Sequence, residues 1–368
     1  MLEHFRIPDD IAVRVDAGNL RSMTKDVFLK VGMSDSDAAL ATDVLLSADL
    51  KGDETHGVSN MLRAYVRMFN EGILNPLAKE SIVRETPATA VLDGDQGLGI
   101  VTCPKAMKIA IQKAKNVGVG MVTIKNSGHA GMMGYHALLA AEEDMIGVAY
   151  TSGGNSMIPT WGSEAKLGTN PIAFAAPGNK EAPFCYDAAN TAIAGNKIGL
   201  ANRLGVELMA GWVANPDGSP DMSGTTMAQS FQSSALGGQR MQLPLGSTRE
   251  LGSHKGYGLG VMVDIMCGLL SGAEGYANAS PTRRSHYVAA YNIEAFVSVD
   301  EFKNDMDGML QGLRETKPAP GHDRVVYAGM IEAEQEKERI EKGIPLHPEV
   351  LDWFKQICAE FSIEYRLD

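Results

Sequence analysis

Apolar residues near the start of the chain recur at helical spacing. Leu20, Met23, Val27, Phe28 and Val31 make one stripe, and Gly32 is placed to end it. Ser34 to Asp37 offer N-caps to a second helix carrying Ala38, Ala41, Leu45 and Ala48 on one face. A third follows His56, with Met61, Leu62, Tyr65, Met68 and Phe69 inward and Gly72 as its stop.

From about Ser81 the pattern changes. Thr89 to Asp93, Val119 to Lys125 and Met145 to Thr151 read as strands. Between them, a helix is expected to begin at Pro104, burying Met107, Ala110, Ile111 and Ala114, and another to run from Ala137 to Glu143. Such alternation predicts an α/β layer. Asn215 to Leu251, rich in Gly, Ser, Pro and Gln, reads as a long irregular connection. Val288 to Val299 reads as a strand, after which helices return: a stripe of Phe302, Met306, Met309, Leu310 and Leu313, a charged and solvated stretch from Met330 to Lys342, and a last face of Val350, Trp353, Phe354 and Ile357. The expected architecture is an α/β domain over residues 81–285, inserted in a helical domain built from residues 1–80 and 286–368.

Composition adds limits. The 368 residues suffice for two domains, and a net charge of −12 without a long basic run argues against nucleic acid or an anionic membrane as a partner. An anionic small molecule needs only a few local cations. Tyr257 to Leu270, the most apolar helix candidate, is too short to cross a bilayer and carries Asp264. The opening MLEHFRIPDDIAVRVDAG lacks an apolar run of signal-peptide length. Four scattered cysteines have neither pairing nor metal-ligand spacing. A cytoplasmic protein without a metal is expected.

Four glycine-rich settings concentrate polar residues. In Asp53-Glu54-Thr55-His56-Gly57-Val58 a histidine stands near a helix start, whose partial positive charge disfavours imidazolium, and the segment is otherwise a plain helix cap. Around His129, the small residues Gly128, Ala130, Gly131 and Gly134 let a ligand approach the backbone; the ring then stacks, donates to a phosphate or serves as an acid, unless the stretch is only a tight turn. Asp187 follows Phe184-Cys185-Tyr186, so it is either a partly buried carboxylate that orients a histidine or a cap. Ser253-His254-Lys255-Gly256 opens an apolar helix with two basic residues, suited to an anion or simply solvated. No Gly-x-Gly-x-x-Gly lies between a strand and a helix, since Gly94, Gly97 and Gly99 are misspaced, and neither a Walker motif nor His-Glu-x-x-His occurs.

Taken in order, these segments resemble the malate/L-lactate dehydrogenase family that is unrelated to the Rossmann-type lactate dehydrogenases, and that includes ureidoglycolate, sulfolactate and diketogulonate oxidoreductases and a cyclic-imine reductase. The matching stretches are Asp53 to Val58, Asn126 to Tyr135, Pro159 to Pro177, Asp187 to Lys197, Lys255 to Ala273 and Gly343 to Leu346. The resemblance implies a non-Rossmann fold for NAD or NADP, a homodimer with the active site near the subunit interface, and hydride transfer to or from a small 2-hydroxy or 2-oxo acid. It implies that His56 is the proton donor to the carbonyl, with Thr55 where serine is usual and Asp187 completing the relay. Cofactor contacts are implied for His129, Ala130, Gly131, Met132, Met133, Thr151, Ser152, Ala188, Ala189, His254, Lys255 and Glu332, and substrate contacts for Lys125 and Thr160.

Two departures bear on the substrate. The family often has arginine four residues after the histidine; this chain has Asn60, and Arg63, one helical turn further along, is the expected replacement. Ala328-Gly329-Met330 with Glu332 stands for a Pro-Gly-Glu pattern. Within the family, a cyclic imino-acid reductase or a ureidoglycolate-type dehydrogenase is the alternative. Outside it stand a pyridoxal enzyme with Lys255 as the Schiff-base lysine, and a non-catalytic dinucleotide sensor.

Overall fold

The computed structural model describes residues 5–225, 241–273 and 284–367; residues 226–240 of the expected irregular connection lie outside them. Three helices open the fold: α1 (Ala17–Lys30), capped by Asp16, α2 (Asp35–Leu50), capped by Ser34, and α3 (Val58–Asn70). Their inward faces share one apolar core with residues from the far end of the chain, among them Ile344, Leu346, Val350 and Phe354. A short antiparallel pair, β1 (Val13–Val15) with β9 (Ile344–Leu346), ties the two ends together.

The α/β part is a seven-stranded sheet in the order β2-β3-β4-β8-β5-β6-β7. Its strands are β2 (Ser81–Glu85), β3 (Thr89–Gly97), β4 (Val119–Ser127), β5 (Met145–Ser152), β6 (Ile172–Ala176), β7 (Phe184–Ala188) and β8 (Arg284–Asn292). Among the strands of this sheet only β3 and β4 pair in parallel, through the crossover helix α4 (Gly99–Val117). α4 and α5 (Met133–Ala141) cover one face through Met107, Ala110, Ala137 and Ala140. The other face receives Val263 and Cys267, from α7 (Ser253–Asp264) and the π-turn Ile265–Leu269 that continues it. Helix α6 (Gly195–Leu204) packs on Phe5 and Val213. With both faces covered, β8 alternates Val288 and Ala290 to one side with Tyr287 and Ala289 to the other.

Several elements differ from the expected ones. Helix α4 starts at Gly99, and Pro104 lies inside it. The Ile100 amide finds the His129 carbonyl (3.2 Å), while Val101 and Thr102 bond to that of Leu98 (2.8 and 3.1 Å), so the helix is seeded upstream of the proline. Helix α5 begins at Met133, inside the glycine-rich stretch. The strand expected over Val288 to Val299 is β8, shifted earlier; a 3-10 turn follows at Ile293–Ala295 and α8 starts at Val299. Residues 286–292 therefore sit in the middle of the sheet, between β4 and β5, rather than in the helical part. The α8 (Val299–Arg314) face carrying Met306 and Leu310 also packs against Ala176 of the sheet domain.

Helix α5 lies so close to β5 that a Cβ at Gly147 would overlap the carbonyl and Cα of Ala137. Gly147→Ala is expected to destabilise the protein by about 2 kcal/mol, the cost of overpacking a filled interior. The urea midpoint measures this; an unchanged midpoint would mean that α5 yields freely.

Candidate active site

The loop between α2 and α3 carries the first candidate residues, and buried charge holds it in place. Arg339, on α9 (Met330–Lys342), donates from Nη1 to the Asp49 carbonyl (2.6 Å) and from Nη2 to Glu54 Oε1 (3.0 Å). Glu54 and Arg339 are both buried, so one residue of the helix expected to be solvated is a structural tie. Asp49 Oδ2 accepts the Val58 amide (2.6 Å) and so caps the start of α3. A side chain at Gly57 would overlap the Asp49 carboxylate, which explains the glycine after the histidine.

Between these anchors, His56 presents Nδ1 to Asp53 Oδ2 (3.0 Å) and to Thr55 Oγ1 (2.9 Å), while the Thr55 hydroxyl donates to Asp53 Oδ1 (2.5 Å). The Nδ1 proton is thereby committed to Asp53, and Nε2 is the ring position left to exchange a proton with a ligand. Burial acts to lower the His56 pKa, but the charge and hydrogen bond of Asp53, with the charge of Asp187, outweigh it and hold it above the usual 6.5. Burial likewise acts to raise Asp53, and is outweighed by the charge and hydrogen bond of His56, the Thr55 hydroxyl and the charge of Lys197, which hold it below the usual 3.8. Each partner thus favours the charged form of the other.

Asp187, expected to complete the relay, is placed differently. Its Oδ2 accepts the Gly134 amide (2.6 Å) at the start of α5, and it acts on His56 by charge, whereas the carboxylate bonded to the ring is that of Asp53. Burial raises Asp187 to about 6; the Gly134 amide opposes this, and the negative charge of Asp53 adds to it.

His129 lies parallel to His56, with ring centres 5.7 Å apart and planes 3° apart. Its Nδ1 accepts from the Gly131 amide (3.2 Å) and from the Tyr65 hydroxyl (2.7 Å), which leaves the proton on Nε2. Burial, and the positive charge of His56 after it, keep His129 well below 6.5 and neutral.

Thr55, His56, Gly131, Met132, Met133, Asp187, Ala188, Ala189 and Glu332 line one cleft of about 810 Å³. The remaining expected residues lie elsewhere. Ala130 is buried, and its carbonyl bonds to His136 Nε2 (2.8 Å). Lys125 and Ser152 line a separate cavity of about 620 Å³, and the Thr151 hydroxyl bonds to His286 Nδ1 (2.8 Å). Thr160 bonds to Ser253 (3.1 Å), and His254 and Lys255 stand exposed on the first turn of α7. Asn60 turns inward, its Nδ2 donating to the Thr55 carbonyl (3.0 Å). Arg63 does not reach the cleft: it pairs with Glu349 (3.2 Å) and lies over Trp353 (5.6 Å), because its side of α3 faces α10 (Pro348–Phe361). The expected carboxylate anchor is therefore corrected. Asp53, Lys197 and Arg339 were not expected; only Asp53, one helical turn before His56, carried a signal in its spacing.

A family model described as malate/L-lactate dehydrogenase matches residues 15–355. The chain belongs to the malate/L-lactate dehydrogenase family. It is 38% identical over 362 residues to a malate dehydrogenase of Pyrococcus abyssi, covering 97% of both chains, and 36% identical over 351 residues to an L-sulfolactate dehydrogenase of Methanocaldococcus jannaschii, covering 94% of this chain and 96% of that one. The crystal structure of a malate dehydrogenase from Entamoeba histolytica superposes with a TM-score of 0.90 at 34% identity, over 96% of this chain and 99% of that one. Membership makes the protein an oxidoreductase of the hydroxy-acid dehydrogenase class.

Asp49 supplies a stability test. It is fully buried, and burial first, with the neighbouring charge of Glu54 next among the raising causes, pushes its pKa to about 8 against the Val58 amide. The native state then holds this proton more tightly than the unfolded chain does. Its stabilisation is complete below about pH 4 and is lost as pH rises towards 8. Asp49→Asn keeps an acceptor for Val58 and cannot ionise, so its melting temperature is expected to gain on the unmodified protein's between pH 5 and pH 8. Parallel curves would show that the native group holds no extra proton.

Proposed function

We propose that the protein interconverts a small 2-hydroxy acid and its 2-oxo acid with a nicotinamide dinucleotide, His56 passing the proton to or from the substrate oxygen. The observation that carries this reading is an imidazole whose Nδ1 is bonded to Asp53 and whose pKa that carboxylate raises, on the wall of a cleft of about 810 Å³, with no hydrogen bond to Nε2 among the described residues. The malate and sulfolactate dehydrogenases similar to this chain support the substrate class.

The cleft's residues suit such a cofactor. Side chains are absent at Gly131 and Gly134, where the backbone packs so closely on its neighbours that a Cβ would meet Ile100 at 2.8 Å and Cys185 Sγ at 3.1 Å. Met132, Met133, Ala188 and Ala189 would line the dinucleotide, and Glu332 would face a ribose. Gly256 packs on Leu245, which lines the cleft, so the start of α7 adjoins it and Lys255 would serve the pyrophosphate. When bound, the dihydronicotinamide supplies the hydride. The charge that develops on the carbonyl oxygen is met by the Nε2 proton of His56, and the neutral imidazole that remains keeps its Nδ1–H, which it donates to Asp53. Thr55 holds Asp53 in line, and His129, neutral and stacked on His56, adds no competing charge.

The homodimer is also proposed here: Leu259, Ile265, Leu269 and Leu270 expose an apolar face on α7 and its continuation that a second copy would cover. A cytoplasmic setting is proposed from the four free cysteines. Among the described residues, no helix is long and apolar enough to cross a membrane.

His56→Ala is expected to lower 2-oxo acid reduction roughly 10²–10⁴-fold while binding of NADH or NADPH, followed by nicotinamide fluorescence, persists. Near-normal turnover would remove His56 from the role. Reduction needs the imidazolium, so kcat/KM should fall as pH rises through a His56 pKa lying above 6.5. In Asp53→Asn the charge that raises it is gone, and the falling limb should move to lower pH. A limb that stays in place would assign the titration to another group.

A further inference from the structure

Most cations along the cleft are already committed. Lys51 is bound to Glu336 (2.6 Å), Lys303 to Asp144 (2.8 Å) and Arg339 to Glu54 (3.0 Å). Asn60, at the family's usual arginine position, spends its amide on the Thr55 carbonyl, and Arg63 is held outside by Glu349. Two cations lining the cleft remain without a carboxylate bonded to them among the described residues: Lys197 and Arg6.

These two are linked through the rings beneath them. Lys197 Nζ lies 5.8 Å from the ring centre of Phe5 and 6.0 Å from that of Trp212, and those rings pack at 5.3 Å. The amine lies over ring faces and has no carboxylate hydrogen-bonded to it among the described residues; burial acts to lower its pKa, and the negative charge of Asp53 opposes this. Arg6 follows Phe5 directly, so its backbone is fixed by the ring that carries Lys197, while its exposed side chain lines the cleft. A cation seated on aromatic rings keeps its charge available to an anion. An unpaired guanidinium offers a planar fork that fits a carboxylate or sulfonate.

We propose that Lys197 and Arg6 form an anion clamp beside His56, Lys197 taking the carboxylate next to the reacting carbon and Arg6 a second anionic group, so that the enzyme selects dianionic 2-oxo acids. This rests on the reading of His56 as the acid for a 2-oxo acid. Of the two residues, Arg6 decides selectivity, because a substrate with one carboxylate uses Lys197 and leaves Arg6 in solvent.

The test compares oxaloacetate with pyruvate in the unmodified enzyme, Arg6→Gln and Arg6→Lys. Loss of one charged contact should lower kcat/KM for oxaloacetate roughly 30-fold or more in Arg6→Gln, mainly through KM, and leave pyruvate within about 3-fold. Arg6→Lys should recover part of the loss. Equal falls for both substrates, or no fall, would overturn the clamp. Calorimetry with succinate and propionate, which do not react, reads Arg6 without turnover: weaker binding of succinate alone in Arg6→Gln supports the clamp, and unchanged binding overturns it. An unmodified enzyme that reduces no 2-oxo acid would refute the proposed reaction instead, while the calorimetry would still decide the role of Arg6.

Discussion

Arg339 crosses from the C-terminal part of the chain to bury its guanidinium against the Asp49 carbonyl and the Glu54 carboxylate. Removing either member of such a pair strands a buried charge, which typically costs about 3–5 kcal/mol. The segment between these contacts is only a few residues long. Glu54 is fixed from one side, and the Val58 amide is fixed by Asp49 from the other. Thr55 and His56 lie between them, so the ring's reach into the cleft is set by a contact nearly three hundred residues away in sequence. Helix α9 also carries Glu332 on the cleft wall, so the same tie sets the position of that wall.

Around His56 the electrostatics divide labour among groups of the same chemistry. Two carboxylates face the ring; hydrogen bonds and opposite charge make Asp53 an anion, while burial lifts Asp187 to about 6. Two imidazoles stack, and their pKa values are pushed apart: His129, held by Tyr65 and the Gly131 amide, is kept well below 6.5 by burial, while Asp53 raises His56. Were both charged, two cations would face each other at 5.7 Å in a partly dry cleft. Environments that push like groups apart are how one site keeps an acid and a spectator distinct.

Much of the fold was legible in the chain. Helical spacing located α1, α2 and α3, and short strand-like runs alternating with helical ones located β3, β4 and β5. β8 was shifted in the reading because a strand covered on both sides shows no clean alternation. Pro104 misled because a helix start seeded by the His129 carbonyl is a tertiary event. Glycine-rich runs with embedded histidines marked the loop of His56 and the track from His129 to Met133. The partners were hidden where they act across space: Arg339 sits in a helix whose composition says solvent, and Arg63 and Arg6 cannot be ranked until the neighbours of each are known.

The position of β8 also bears on how the chain assembles. β4 and β5 are complete by residue 152, yet each pairs with β8, which starts at residue 284. Until that strand leaves the ribosome, the nascent sheet is two fragments, β2-β3-β4 and β5-β6-β7, each ending in an edge of unpaired amides and carbonyls. Those edges face a gap one strand wide, and closing it demands a contact across more than a hundred residues, the slow kind of step in folding. The dehydrogenase cannot form its sheet vectorially. It waits for its keystone strand, and until β8 arrives the inner edges of β4 and β5 lack their native partner.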